Sequence, residues 1–73
     1  MQKEQHFRIQ VEGHLDPSWS EWLDGMKIEQ EGPIGTLLSG PVRDQAALFG
    51  LLLKVRDMGL NLISVNRVET QMD

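Results

Sequence analysis

The sequence predicts an α+β domain of the ferredoxin-like type, a βαββαβ chain whose four-stranded antiparallel sheet carries a short first helix and a long second helix on one face. Three observations lead there. Residues 6–12 alternate between apolar and polar, the period of a half-buried strand. Residues 45–58 carry a helical apolar stripe, and Gly32-Pro33-Ile34-Gly35 has the composition of a hairpin turn between two short strands.

The elements follow in order. In the first strand, His6 to Glu12, Phe7, Ile9 and Val11 face one way and Arg8, Gln10 and Glu12 the other. A helix start comes next: Asp16 or Ser18 can cap it, Pro17 suits its first position, and Ser18 with Glu21 has capping-box spacing. Trp19, Trp22, Leu23 and Met26 then fall at i, i+3, i+4 and i+7, and Gly25 limits this helix to about two turns. Lys27 to Glu31 and Thr36 to Ser39 read as the hairpin strands, and Gly40-Pro41 breaks the pattern behind them. Asp44 can cap the long helix from Gln45 to Met58, with Gly59 as its left-handed end and Arg56 favourable to the dipole of the last turn. Leu60 to Val68 is the last strand, with Ile63 and Val65 on one face and Leu62, Ser64 and Asn66 on the other. The alternative architecture reduces the first helix to a loop and leaves the same sheet with one helix across it. Residues 1–73 are expected to form a single domain, with 1–5 and 71–73 disordered.

Composition narrows the function. A 73-residue chain buries only about 60% of the surface its unfolded form exposes, and small domains of this kind draw stability from disulfides, metals or partner subunits. The chain has no cysteine, which removes disulfides and thiolate metal sites and leaves a partner subunit. Seven basic and eleven acidic residues give a net charge of −4 with no run of either sign, so no nucleic acid is expected as a ligand. No stretch has the apolar length of a signal peptide or membrane span, and a cytoplasmic protein without membrane contact is the expectation.

Few residues could carry chemistry. His6 and His14 are the only histidines; on a regular strand they lie roughly 26 Å apart, too far to share a metal. His14 beside Asp16 has the makings of a general base, though the end of a strand explains it as well. Nucleophile elbows, glycine-rich phosphate loops and cysteine nucleophiles are all missing from the sequence. The reading therefore leans away from an enzyme and implies neither cofactor nor metal. The polar sheet face, with Arg8, Gln10, Glu12, Lys27, Glu29, Glu31, Ser64 and Asn66, lacks the aromatic platform of RNA-binding sheets.

What remains is surplus apolar surface. Leu48, Leu51, Leu52 and Val55 suffice to cover a small sheet, so Phe49 and Leu53, about 100–140° round from Leu48, are extra. Either the short helix or the last strand covers them, or they line a subunit interface. Trp19 and Trp22, both tryptophans of the chain, cannot both hide under a two-turn helix, and their edges form a candidate ligand- or partner-binding rim together with His14.

The stretches Gly13-His14-Leu15-Asp16-Pro17-Ser18-Trp19-Ser20-Glu21-Trp22 and Ser39-Gly40-Pro41-Val42-Arg43-Asp44-Gln45-Ala46-Ala47-Leu48, with Val55-Arg56-Asp57-Met58-Gly59-Leu60, resemble an uncharacterised family of short bacterial proteins of 70–80 or so residues. That resemblance implies a bacterial domain of this size and brings no activity, cofactor or site residue with it. The function expected is a non-catalytic interaction or regulatory module, acting as a homodimer or with an unknown protein partner. The alternative is a small-ligand binder or cofactor-free enzyme with a pocket near His14, Trp19 and Trp22. An amino-acid-sensing domain of the ACT type is a weaker third, because its glycine-bearing ligand loop is not evident.

Overall fold

A row of four aliphatic side chains organises the sheet. A computed structural model describes residues 5–68. It contains β1 (Gln5–Glu12), a 3₁₀ turn (Pro17–Ser20), β2 (Lys27–Glu31), β3 (Gly35–Val42), α1 (Gln45–Asp57) and β4 (Asn61–Val68). The four strands form one antiparallel sheet in the spatial order β2-β3-β1-β4. Ile28 pairs with Leu38, Leu38 with Ile9, and Ile9 with Val65, so one apolar row runs across all four strands. Ile9, Val11 and Leu38 are 0% exposed.

Helix α1 closes this face with Leu51 and Val55, both buried, while Leu48, Leu52, Ala47 and Met58 pack partly against the same cluster. Its ends follow the sequence. The Asp44 carboxylate accepts the Ala47 N–H at 2.8 Å, and Gly59 at φ 78° lets the Leu60 N–H turn back to the Val55 carbonyl at 3.3 Å.

The ferredoxin-like βαββαβ order is not formed: the chain runs β-β-β-α-β, an α+β arrangement with one helix. The expected first helix stops after a single 3₁₀ turn, because Asp24 and Gly25 both adopt left-handed backbone, at φ 61° and 79°, and so short a segment cannot repay helix nucleation. The four residues expected to share its face divide. Leu23 and Met26 are buried in the core, and Trp19 and Trp22 are turned out.

Strand β3 also runs further than Thr36 to Ser39. It continues through Gly40 and Pro41 to Val42, which is buried. Proline is tolerated there because β2 pairs no further than Ser39, so at Pro41 the strand has a neighbour on one side only. A side chain at Gly40 would come within 3.0 Å of the Met26 sulfur; its absence lets Met26 lie across the strand.

The last strand differs by a bulge. Gln10 pairs with Ser64 but Val11 with Leu62, which leaves Ile63 without a counterpart and moves Leu62 to the face expected for Ile63. The expected disorder at 1–4 and at 71–73 lies outside the described residues, and Gln5 belongs to β1. Removing the central side chain of the aliphatic row, Ile9→Ala, is expected to cost about 2–5 kcal/mol, enough to leave most of a marginal domain unfolded in a urea titration at 25 °C.

Candidate functional site

The segment between β1 and β2 is held by short hydrogen bonds. The Gly13 N–H donates to the Ile34 carbonyl at 2.6 Å, and the hydroxyl of buried Thr36 donates to the Gly13 carbonyl. Asp16 caps the 3₁₀ turn: its carboxylate accepts the Ser18 N–H at 2.9 Å. The Ser18 backbone and side-chain hydrogen bonds hold the Asp16 carboxyl below its ordinary range. Ser20 then donates to the Met26 carbonyl at 2.7 Å, closing a loop around buried Leu23.

This scaffold displays the two indoles. Trp19 is 46% and Trp22 42% exposed, and their rings meet edge to face with centroids 5.9 Å apart and planes at 72°. Lys54 of α1 ties them to the helix. Its ammonium donates to the Trp22 carbonyl at 2.9 Å, lies 3.6 Å from the Asp24 carboxylate, and stands 5.5 Å from the centre of the Trp22 ring. Nothing in the local sequence marks Lys54, because its partners lie some thirty residues away and only the packing of α1 brings them together.

His14 is exposed on the same connection, but three clefts among the described residues open elsewhere. A cleft of about 610 Å³ lies between the start of α1 and the ends of β1 and β4, floored by Phe7, Val42, Leu48 and Val65 and edged by Arg43 and Arg67. A smaller one, about 420 Å³, is lined by Asp24, Pro41, Val42, Arg43, Ala47 and Leu51, and a third lies on the open sheet face beside Arg8, Gln10 and Asn66. None of the three is lined by His14, Trp19 or Trp22. Among the described residues no three of His, Cys, Asp and Glu gather closely enough to hold a metal ion.

Phe49 and Leu53 lie on the outer side of α1, 54% and 51% exposed. Neither the 3₁₀ segment nor β4 covers them. The opposite, open face of the sheet is polar, as its alternation predicts: Ser64 donates to Gln10, Gln10 donates to Glu31 at 2.8 Å, and Asn61 donates to Glu12 at 3.3 Å. These bonds span the face of the sheet that carries Leu37, which is only 8% exposed.

Residues 6–66 match the family model described as Domain of unknown function (DUF8691). The chain belongs to this family. The match covers every strand and the helix apart from their outermost residues, so the family is a fold unit of this extent, uncharacterised in function. No curated protein and no solved structure was found to match the chain significantly.

Cutting the helix tie, Lys54→Ala, is expected to destabilise the domain by about 1 kcal/mol and to shift tryptophan emission to the red as Trp22 gains water; unchanged emission would show that Lys54 does not hold the ring.

Proposed function

We propose that this domain is a non-catalytic protein-interaction module that works as a homodimer in the bacterial cytoplasm. The observation that carries the reading is the outward placement of Phe49 and Leu53 on α1, a helix whose other large apolar residues face the sheet. Exposed aromatic and aliphatic residues side by side on a small domain favour an interface.

A small-ligand site at His14, Trp19 and Trp22 is the weaker reading, since the three clefts described above are lined by none of these residues. A saturable, metabolite-dependent change in tryptophan emission would revive it. The homodimer is tested by Leu53→Glu. The wild-type chain is expected to show twice its 8.3 kDa mass in light scattering at micromolar concentration, and the variant to remain folded and run as a monomer. A variant that unfolds outright would instead assign Leu53 to the core.

A further inference from the structure

The two edges of the sheet are built differently. On one side, β2 is five residues long and reads Lys-Ile-Glu-Gln-Glu, with Lys27 and Glu29 paired at 3.3 Å. Short length and charge are the usual means by which a sheet edge resists pairing with another chain. On the other side, β4 is eight residues long and reads Asn-Leu-Ile-Ser-Val-Asn-Arg-Val, with a single charged residue and no proline. Its bulge at Ile63 protects only the first part. From Ser64 to Val68 the strand is regular and pairs with β1 on one side, and among the described residues no strand pairs with its other side. β2 engages β3 over just such a five-residue length.

The apolar surplus lies on the same side. Phe49, Leu53, Leu62, Ile63 and Val68 are all exposed on α1 or β4. Leu48 lines a cleft with Val65 and Arg67 of β4, whereas Ala47 and Leu51 line one with Asp24. The Leu48 and Leu52 flank of the helix is thus turned toward β4, and Phe49 stands about 100° beyond Leu48 on that flank.

We propose that the homodimer forms by antiparallel pairing of β4 with β4 of a second copy, joining the two sheets into one of eight strands. The inference rests on the homodimer reading and specifies its geometry. A two-fold axis perpendicular to the sheet keeps both α1 helices on one face and allows only registers in which some residue meets itself. Centring on Asn66 places Asn66 against Asn66, Val65 against Arg67 and Ser64 against Val68. Centring on Arg67 would oppose two guanidiniums, and centring on Val65 would pair Arg67 with the bulged Ile63. With α1 in contact with β3 and β4 on either side of β1, the helix axes of the two copies stand about three strand spacings, roughly 14 Å, apart. Helices about 10–12 Å across with their side chains nearly close that gap, with Leu52 and Phe49 on the facing flanks. A standard interface covers about 800 Å² per partner, roughly one-seventh of the 5299 Å² surface here, which the strand edge and helix flank together can supply.

Hydrogen exchange and cross-linking test the pairing. In the wild-type dimer, alternate amides of Ser64–Val68 are expected to exchange roughly tenfold or more slowly than in the same chain diluted to its monomer. The chain has no cysteine, so Asn66→Cys reports alone: self-pairing brings its Cα atoms within the disulfide range of about 4.4–6.8 Å, and mild oxidation should link it as a dimer much faster than Gln30→Cys on β2. A stable dimer whose β4 amides exchange as in the monomer, or which cross-links equally at both edges, overturns the strand pairing and leaves the homodimer standing. A monomer at every concentration overturns both.

Discussion

Everything in this domain depends on the aliphatic row Ile28–Leu38–Ile9–Val65 that crosses the sheet on one face. Each such side chain contributes about 1.5–3 kcal/mol when fully buried, and the row fixes the register of three strand pairs at once, since a slip of one residue would turn its members to the polar face. Leu51 and Val55 of α1 seal it from above, and Leu23 and Met26 seal it beside β2. Met26 reaches its place because Gly40 leaves room for it.

The same constraint decides what is left outside. The 3₁₀ segment satisfies the core with Leu23 and Met26, so Trp19 and Trp22 need not enter, and they stack on each other under the hold of Lys54. The helix satisfies the core with one flank, so Phe49 and Leu53 face out. Polar residues close the far side of the sheet through the bonds of Gln10, Glu31 and Ser64. Among the described residues, the large apolar side chains left exposed lie on the back of α1, on β4, at the indole rim and at the tip of the β2–β3 turn at Ile34.

Much of this was legible in the sequence, and for identifiable reasons. The alternation of Phe7, Ile9 and Val11 marks β1 because each residue's burial follows from its own period. Asp44 and Gly59 bound α1 to within a residue, since caps are local chemistry. The segment from Gly13 to Trp22 was legible as a capped turn, but not as a failed helix. Its apolar spacing is helical, and the left-handed Asp24 that ends it has no mark of its own. The extension of β3 through Pro41 and the bulge at Ile63 depend on where neighbouring strands stop and pair, as the contacts of Lys54 depend on how α1 packs. Information of that kind is spread over distant residues and has no local pattern.

In the proposed homodimer the exposed flank of α1 and the edge of β4 would be buried against a second copy, and association would add to the stability of a chain that folds on its own. The most direct measure is the urea midpoint of the wild-type chain across a hundredfold range of protein concentration. The account predicts that the midpoint rises with concentration, as mass action requires when the dimer is the stabilised species. A midpoint independent of concentration, with a monomer's mass throughout, would contradict it.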